Sequence, residues 1–580
     1  MGDSSFLQLH KNAGRDMSAM PEYRLAVLGD HATQLLCRAI RGCGYEQGIR
    51  FEVFDAPYDQ VEAQALCADA ALYRHRPQAV LLTLCTERLY ESFCQTPAPA
   101  RRDFASTTLA RIKQLWSHIA QNSRANILQA SFLELDDGVF GSFAGRTEES
   151  FFYQVKCLNL LLLDSCREAD GVFPVDFNGI CLRHGHSLFR DDKLLYDARL
   201  SISTRALPYA AKAAADVCAA LLGRIKKCVV TDLDNTLWGG TIGDDGLSGI
   251  ELGELGRGAA FVDLQRWLKE LKNRGILLAV CSKNEEAAAR EPFEKHPDML
   301  LRLPDFSVFV ANWHDKAMNI MEIQERLGIG LDSIVFLDDN PFERELVRGM
   351  LPSVTVPELP EDPAEYLSFL RGLNLFETVS FTEEDRRRTD QYRAEAGRAS
   401  LKRQYASFDD YLQSLEMEAE SAPFDAFHLP RIAQLTQRSN QFNLRTGRYT
   451  EAELERLAAD ARFRTLYFTL SDRFGAHGLV GVVILEARGE ALFIREWLMS
   501  CRVLRRGLEE FIVNQMAATA VQGGFSRLVG EYLPTAKNAM VSDLYGRMGF
   551  SPMDEGLYRL SVHDFLPLPC FIRHTQREEP

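Results

Sequence analysis

The stretch of sequence that decides the fold is Val229-Val230-Thr231-Asp232-Leu233-Asp234-Asn235-Thr236-Leu237-Trp238. An apolar run, Cys228–Thr231, predicts a strand and ends here in two carboxylates one residue apart, just before a glycine-rich loop. Uninterrupted apolar runs are typical of parallel strands that are covered on both faces. A strand that ends in Asp-x-Asp-x-Thr can hold a nucleophile, a proton-transfer group and a divalent cation at one point. The stretch therefore predicts an α/β domain that handles phosphoryl or acyl-phosphate groups.

Two further apolar runs, Ile276–Cys281 and Ile334–Leu337, predict neighbouring strands of the same parallel sheet. Polar residues follow each run: Ser282-Lys283-Asn284 after the first and Asp338-Asp339-Asn340 after the second. Lys316 precedes a helix between them. Ligands of open parallel sheets bind beyond the carboxyl ends of the strands. We therefore expect four carboxylates, a hydroxyl group and a lysine to converge there.

Four carboxylates in one place repel each other unless a cation neutralises them, and Mg²⁺ is the hard, oxygen-preferring choice. The expected ligands are Asp232, Asp234, Asp338 and Asp339. In such a site Asp232 would attack phosphorus, and Asp234 would protonate the leaving oxygen and then activate water. Ser282 and Lys316 would hold phosphate oxygens. The alternatives are a turn or cap for an isolated Asp-x-Asp and an inactive domain for the whole set.

These residues resemble, in order, the four motifs of the haloacid dehalogenase (HAD) superfamily. The resemblance implies that Asp232 is the nucleophile and Asp234 the general acid/base, and that Asp338 and Asp339 help to hold Mg²⁺. The phosphate-binding residues that it implies are Thr236, Ser282, Lys283 and Lys316. Only about 40 residues separate Thr236 from the second strand. We therefore expect no large cap domain, and an open site suits a bulky or protein-borne substrate.

Five segments of the chain are more specific and resemble the FkbH-like proteins: 232–240, 243–246, 281–284, 312–316 and 336–341. This resemblance covers nearly the whole chain. It implies an enzyme that takes a glyceryl unit from 1,3-bisphosphoglycerate, removes phosphate and loads the acyl group onto an acyl carrier protein. Such carrier-bound units feed polyketide or surface-polysaccharide pathways.

Cys281 stands beside Ser282 at a predicted strand end. A thiolate there could attack the carbonyl of an acyl phosphate and form a thioester, which could pass to the phosphopantetheine thiol of a carrier. The alternative is a small buried core residue, as most free cysteines are.

The C-terminal region, 404–580, resembles the GNAT acyltransferases. Residues 501–509 follow a predicted strand, Ala491–Trp497, and open a helix, where backbone N–H groups can bind pyrophosphate. Arg505 stands where the motif has its first glycine. The predicted acyl-CoA or pantetheine ligands are Arg502, Val503, Leu504, Arg505, Arg506, Gly507, Asn538 and Tyr545. A polar cluster at 437–443 is typical of FkbH-like chains; a hydrogen-bonded turn is the alternative. We favour docking of a phosphopantetheine thiol, with CoA as the other option.

The N-terminal region, 1–225, resembles the SGNH hydrolases around Gly29-Asp30-His31, but His31 replaces the nucleophilic serine. The fold class is therefore predicted as multidomain α/β: an SGNH-like parallel-sheet domain, a HAD Rossmann-like domain at 226–372 and a GNAT-like α+β domain. A charged linker spans 373–403. Because the triad is broken, the N-terminal domain is predicted to be an inactive binding or scaffolding domain.

Composition limits the function. A chain of 580 residues needs several domains. A net charge of −15 argues against nucleic-acid binding. The 13 cysteines form no zinc-type spacing and predict reduced thiols in the cytoplasm. No apolar run is long enough for a membrane span. Two alternatives to the carrier-loading enzyme stay open: a small-molecule or sugar phosphatase with a separate acyl-CoA-dependent transferase domain, and a non-catalytic platform that binds a carrier protein.

Overall fold

The computed structural model of the protein describes residues 5–381, 398, 401, 405, 407–439, 441–500, 503–535, 538–553 and 556–575. These residues form two compact units. The first contains the described residues up to Leu264 together with His314–Ala317 and Ile329–Phe381. The second contains Gln265–Trp313, Met318–Gly328 and the described residues after Phe381. The predicted domain boundaries at 225, 372 and 403 stay predictions, and most of the predicted linker lies outside the described residues.

The N-terminal part of the first unit is a parallel five-stranded sheet with the strand order β2-β1-β3-β4-β5. Its central strands are buried along their length, which is why the sequence there is almost purely apolar. The strands are β1 (Glu22–Gly29), β2 (Arg50–Asp55), β3 (Ala79–Thr83), β4 (Asn126–Ala130) and β5 (Val172–Val175).

Helices connect these strands and cover the sheet, since a parallel strand pair needs a crossover connection. The helical periodicity of residues 150–166 predicts a helix, which is present as Phe151–Glu168, and the Ser150 hydroxyl caps its first turn. The helices are α1 (Phe6–Asn12), α2 (Gln34–Gln47), α3 (Val61–Leu66), α4 (Ala71–Arg74), α5 (Thr86–Gln95), α6 (Phe104–Asn122), α7 (Phe151–Glu168), α8 (Phe177–His184), α9 (His186–Phe189), α10 (Asp192–Ala198) and α11 (Leu207–Leu221).

The central region supplies four short strands. They are β6 (Cys228–Thr231), β7 (Leu277–Ser282), β8 (Val308–Ala311) and β9 (Ile334–Leu337). Within the first unit β6 pairs with β9 in parallel, and within the second β7 pairs with β8 in parallel. The predicted bounds of β6 and β9 are confirmed, and β7 begins and ends one residue later than predicted. The helices of this region are α12 (Ile242–Asp245), α13 (Gly256–Asn273), α14 (Glu286–Lys295), α15 (Lys316–Leu327), α16 (Pro341–Met350) and α17 (Tyr366–Gly372).

The C-terminal part of the second unit is a mixed eight-stranded sheet with the order β15-β16-β14-β13-β12-β11-β10-β17. Strands β10 to β13 form an antiparallel meander, and β13 and β14 pair in parallel. The strands are β10 (Met417–Ala422), β11 (Phe463–Asp472), β12 (Gly475–Arg488), β13 (Ala491–Met499), β14 (Arg527–Glu531), β15 (Ser551–Pro552), β16 (Leu557–Ser561) and β17 (Ile572–His574).

Helices pack on this sheet, and the longest of them makes the crossover between the parallel strands β13 and β14. They are α18 (Phe408–Ser414), α19 (Leu429–Arg438), α20 (Glu451–Ala459), α21 (Leu508–Gln522) and α22 (Leu544–Arg547). These sheets confirm the predicted fold class. Every helix among the described residues is too short or too polar to cross a bilayer.

Candidate active site

Strand β6 delivers Asp232 to the candidate site. Every residue of β6 is buried, and Asp232 N–H donates a hydrogen bond to the carbonyl of Leu337 at the end of β9. The chain then turns sharply: Asn235 adopts a left-handed φ of 53°, a conformation that asparagine tolerates better than most residues. Parallel pairing of β6 with β9 thus brings Asp232 beside Asp338 and Asp339, although about a hundred residues separate them in sequence.

Lys316, the first residue of α15, joins the two strand ends. Its ammonium group donates to Asp232 Oδ2 at 2.6 Å and to Asp338 Oδ2 at 2.5 Å, and its side chain is only 3% exposed. Burial alone would lower the pKa of Lys316, but the charges of Asp232 and Asp338 raise it well above its usual range. Lys316 is therefore a permanent cation between two carboxylates.

Asp232, Asp338 and Asp339 form a cluster of possible metal ligands, with one oxygen from each within 4.8 Å of the others. Burial and then the charge of Asp232 raise the pKa of both Asp338 and Asp339. With all three carboxylates ionised beside one ammonium, the cluster would carry two net negative charges. Asp232 Oδ1 is buried and has no hydrogen-bond partner among the described residues. An orphaned carboxylate oxygen and this excess charge fit a divalent cation with oxygen ligands, as predicted for Mg²⁺.

Asp234 lies outside that three-carboxylate cluster. Its Oδ1 accepts hydrogen bonds from the indole N–H of Trp238 and from the Ile242 backbone N–H, both at 3.0 Å. The side chain is half-buried, as a group that exchanges protons with a substrate and with water must be. The group of carboxylates whose oxygens lie within 4.8 Å of one another does not include Asp234, and its coordination of Mg²⁺ stays a prediction.

Thr236 is fully buried and links the turn after β6 to the turn after β9. Its hydroxyl oxygen accepts a hydrogen bond from the Asp339 backbone N–H at 3.2 Å. In this position Thr236 holds the aspartate turn, and its predicted contact with phosphate stays a prediction.

Arg344 is a positioning residue that the motifs do not indicate. Its guanidinium donates to the backbone carbonyls of Asp338 and Asp339 at 2.9 and 2.7 Å, and it is 6% exposed. The Asn340 side chain caps α16 by accepting from Phe342 N–H. No sequence signal identifies Arg344, because arginines on helices are usually exposed.

In the second unit, β7 ends in Cys281 and Ser282. Both are buried, and Asn284 Nδ2 donates to the Ser282 hydroxyl at 3.1 Å. Lys283 is half-buried. Cys281 is fully buried within its strand, as expected for the alternative in which it is a core residue. The convergence of Cys281, Ser282 and Lys283 with the aspartates stays a prediction.

The predicted pyrophosphate loop of the C-terminal domain is occupied by a side chain of its own helix. Arg505 has a φ of 60°, so it keeps the glycine-type backbone of the motif that it departs from. Its backbone N–H donates to Glu509 Oε1 at 3.1 Å, and Glu509 is 5% exposed. Arg502 lies outside the described residues. The Glu509 carboxylate thus accepts the Arg505 N–H group, which would otherwise be free to bind an anionic ligand.

The other predicted residues of this loop and domain are mostly interior. Arg506 is buried against His477 and Asp472, and Val503 is fully buried. Leu504 and Gly507 are half-buried, and Gly507 has a left-handed φ of 84° at the start of α21. The predicted pantetheine contacts of Val503, Leu504, Arg506 and Gly507 stay predictions.

A segment of the chain itself pairs with the edge of β13 beyond its parallel partner. The parallel partner β14 covers that edge only as far as Ile494. Beyond it, Leu444 N–H donates to the Trp497 carbonyl at 3.3 Å and Met499 N–H to the Phe442 carbonyl at 3.1 Å. An exposed strand edge can bind an extended ligand. Here the predicted polar cluster, through Phe442–Leu444, takes that place.

Asn538 and Tyr545 support this arrangement. Asn538 is fully buried and donates to the Asn443 carbonyl at 3.0 Å. The Asn443 side chain accepts from the N–H groups of Arg445 and Thr446, as in the hydrogen-bonded turn proposed as the alternative. Tyr545 is buried against Gly530, where a Cβ atom would lie within 2.2 Å of its ring. The Tyr545 hydroxyl has no partner among the described residues.

Comparisons with known proteins agree with this description. Residues 24–219 match the model of the FkbH N-terminal domain. The chain is similar to a crystal structure of the N-terminal part of a Bacteroides fragilis protein that contains a phosphatase domain complexed with Mg. The identity is 41%, the TM-score is 0.63, and the match covers 65% of this chain and all of the other.

Two acetyltransferase structures also match part of the chain. One is the Escherichia coli ribosomal-protein-S18-alanine N-acetyltransferase, with 16% identity, a TM-score of 0.20 and coverage of 25% of this chain and 94% of the other. The second is Vibrio cholerae spermidine N-acetyltransferase in complex with CoA and spermine, with 15% identity, a TM-score of 0.20 and coverage of 24% and 93%. Among curated proteins none matches the chain.

Proposed function

We propose that this chain, which belongs to the FkbH-like family, is a Mg²⁺-dependent enzyme that removes phosphate from a phosphoglyceryl-type acyl phosphate and loads the acyl unit onto a carrier protein. A phosphatase-type function is supported by the family and by the Mg-bound phosphatase domain of its Bacteroides relative. The observation that carries the proposal is the buried cluster of Asp232, Asp338 and Asp339 bridged by Lys316. The glyceryl unit, 1,3-bisphosphoglycerate and the carrier follow from the family resemblance.

The metal would be held by the side chains of Asp232, Asp338 and Asp339. When bound, Mg²⁺ neutralises the carboxylates and screens the anionic phosphate from them. Lys316 already balances one charge and fixes Oδ2 of Asp232, and Arg344 and Thr236 fix the backbone of the Asp338–Asp339 turn. The chain thereby orients its ligands before any ion arrives.

Asp232 is the proposed nucleophile. Its Oδ2 accepts a hydrogen bond from Lys316, and its Oδ1 has no partner among the described residues, so the carboxylate is oriented by one oxygen only. Attack on phosphorus forms the bond from Asp232 to phosphorus and breaks the bond to the substrate oxygen. Asp234 gives that oxygen a proton and then takes one from the water that hydrolyses the aspartyl-phosphate. The Trp238 and Ile242 hydrogen bonds hold Asp234 in place for both transfers.

Asp232 would take the ester phosphate of 1,3-bisphosphoglycerate, so that the acyl phosphate stays intact for acyl transfer to a thiol, before or after this step. A thiolate attacks the carbonyl carbon of the acyl phosphate, a carbon–sulfur bond forms, and phosphate leaves with the electron pair of the carbon–oxygen bond. Cys281 is the candidate acceptor, from which the phosphopantetheine thiol of the carrier would take the acyl group. Because Cys281 is fully buried, direct attack by the carrier thiol is the simpler route.

The C-terminal domain is proposed to receive the pantetheine arm. Binding there would require the arm to displace Phe442–Leu444 from β13, and no acyl-CoA reaction is needed. The 12 described cysteines are free, which fits a reducing cytoplasm.

The test is a loading reaction. The full chain is incubated with Mg²⁺, 1,3-bisphosphoglycerate and a phosphopantetheinylated carrier, and the carrier is weighed by intact-mass spectrometry. We expect a glyceryl adduct with wild-type protein, and D232N should leave the adduct phosphorylated or absent. Phosphate release without loading of any encoded carrier would favour the plain phosphatase, and a D232N variant with unchanged phosphate release would favour the platform. Loading that survives C281S would assign the acyl acceptor to the carrier thiol alone.

A further inference from the structure

The end of the predicted linker is buried in the C-terminal domain. Arg398 lies in the segment predicted as a charged linker, yet it is only 2% exposed. Its guanidinium lies 5.7 Å from the centre of the Phe474 ring, and Leu401 packs against the core of the C-terminal sheet. Arginine is almost never fully buried unless it is paired. The partner of Arg398 therefore identifies what holds this part of the linker in place.

That partner is Asp472, the last residue of β11. Nε of Arg398 donates to Oδ2 of Asp472 at 2.5 Å, and Nη2 donates to Oδ1 at 2.7 Å. Such paired hydrogen bonds are among the strong contacts that an arginine makes with a carboxylate. The Asp472 side chain is fully buried. Burial alone would raise the pKa of Asp472, but hydrogen bonds with His477 and Arg398 and the charge of Arg398 lower it below its usual range. Asp472 is thus a buried negative charge.

A second guanidinium lies beside the same carboxylate. Arg506 is 7% exposed, and its Nη1 lies 3.7 Å from Asp472 Oδ2, which is close enough for an ion pair but too far for a hydrogen bond. The same nitrogen lies 3.2 Å from His477 Nε2. A shift of about 1 Å would bring Arg506 into hydrogen-bond contact with Asp472. Because Arg506 comes just before α21, the domain itself carries this second partner, whereas Arg398 belongs to the linker.

The second partner changes what release of the linker would cost. Removing one member of a buried ion pair strongly destabilises a protein when the remaining charge is left without a partner. Asp472 would be in that position if Arg398 were its only cation. Because Arg506 already lies 3.7 Å away, the carboxylate can exchange one guanidinium for the other. The linker can then leave while the domain stays folded.

We propose that the Arg398–Asp472 pair is a reversible latch that holds the linker on the C-terminal domain, and that Arg506 takes over Asp472 when the latch opens. Release lengthens the tether that precedes the C-terminal domain, and a longer tether has a wider reach. The use of that reach, which is to bring a pantetheine arm to the phosphate site, rests on the proposed function. The exchange of partners at Asp472 does not.

A double-mutant cycle on the full chain tests this exchange. The variants are R398M, R506M and R398M/R506M, and hydrogen exchange of the β12 amides gives the opening equilibrium constant of the domain. We expect each single variant to raise this constant less than about tenfold, because one guanidinium remains. The double variant should raise it at least ten times more than the product of the single effects, because Asp472 then stays buried without either arginine. Failure of the double variant alone to fold has the same meaning.

The matched control is R473M. Arg473 is exposed and lies over the same Phe474 ring, 5.8 Å from its centre, so R473M should leave the opening constant unchanged. Trypsin cleavage after Lys402 and Arg403, which follow Leu401 in the sequence, measures opening of the latch. We expect this cleavage to be at least fivefold faster in R398M than in the wild type or R473M, while the rest of the C-terminal domain stays resistant.

Three results would overturn the proposal. The first is a double variant whose effect is no larger than the product of the single effects. The second is an R398M variant that is as destabilised as the double variant or does not fold, since Arg506 would then not take over Asp472. The third is unchanged trypsin cleavage in R398M. No substrate, metal or carrier takes part, so these results do not depend on phosphate release or carrier loading.

Discussion

Lys316 Nζ lies 2.6 Å from Asp232 Oδ2, so the lysine of the candidate site contacts the proposed nucleophile directly. The motif in which Lys316 lies predicts that this lysine holds a phosphate oxygen. The structure shows that it also neutralises the carboxylates, because Asp338 Oδ2 lies 2.5 Å away on its other side. The one buried ammonium thus lies between two carboxylates, and the third carboxylate, Asp339, adds negative charge that a cation would balance.

Replacing Lys316 by methionine should destabilise the protein strongly. Breaking a buried ion pair by removing one partner costs about 3–5 kcal/mol, since the remaining charges stay buried. We expect a loss of that size in denaturant unfolding, and a partial recovery when Mg²⁺ is added. K295M is the matched control, because Lys295 is exposed beside Glu291 and should change little. Equal stability of K316M and the wild type would contradict the geometry.

Mg²⁺ should raise the melting temperature of the wild-type protein. An ion that binds only the folded state stabilises it by mass action, by roughly 2.7 kcal/mol at one hundred times its dissociation constant. D339N removes one carboxylate of the cluster and should abolish most of the shift in differential scanning fluorimetry. D298N, at an exposed aspartate of the same region, should keep it. A shift that D339N leaves intact would place the ion elsewhere.

Thr236 should act through the position of Asp339. T236V removes the acceptor of the Asp339 N–H and leaves a buried donor unpaired, which costs about 1–3 kcal/mol. We expect lower stability and weaker Mg²⁺ binding by calorimetry for T236V, whereas T236S should restore both. If T236S is as impaired as T236V, the methyl group and not the hydrogen bond is what matters.

The sequence predicted the strands around Asp232 well because each is a short apolar run between polar turns. The runs at 228–231 and 334–337 have the predicted bounds. What it missed depends on contacts between distant residues. The Arg344 guanidinium holds the backbone of the Asp338–Asp339 turn. Because arginines on helices are usually exposed, the neighbouring sequence does not indicate this role.

In the C-terminal domain, the sequence predicts the long strands but not the short pairing between distant segments. The apolar pattern predicts strands at 491–497 and 478–485, and in the structure these strands are longer, Ala491–Met499 and Gly475–Arg488. It does not predict that Phe442–Leu444 pairs with the free edge of β13, because a three-residue pairing leaves no periodicity. A comparison of motifs likewise cannot show that the Glu509 carboxylate accepts a hydrogen bond from the Arg505 backbone N–H.

The wild-type protein should bind CoA weakly. Glu509 occupies the loop N–H of Arg505, and Phe442–Leu444 covers the strand edge, so both the pyrophosphate and the pantetheine would meet parts of the chain. We expect isothermal titration of CoA to show at least tenfold tighter binding for E509A than for the wild type, because the competing carboxylate is gone. E510A, one residue along the same helix, is the control. Tight binding to the wild type would contradict this arrangement.

Glu496 should make the C-terminal domain less stable as the pH rises. It is fully buried on β13, with Oε2 accepting from Gly447 N–H and Oε1 without a partner among the described residues. Burial raises its pKa to about 7, well above that of an unfolded glutamate. Between the two pKa values the folded protein holds a proton that the unfolded chain has lost. Stability is therefore highest below the unfolded pKa and falls until the pH passes about 7.

The raised pKa of Glu496 also sets how much stability is lost as the pH rises. A raised pKa of this extent corresponds to about 3 kcal/mol. The variant E496Q keeps the acceptor for Gly447 N–H and cannot ionise, so it should match the wild type near pH 5 and exceed it near pH 8. Hydrogen exchange of the β13 amides, compared between the two proteins at each pH, measures the difference. A constant difference across this range would mean that Glu496 stays ionised in the folded protein, in which case the nearby Arg445, Arg448 and Arg495 would outweigh its burial.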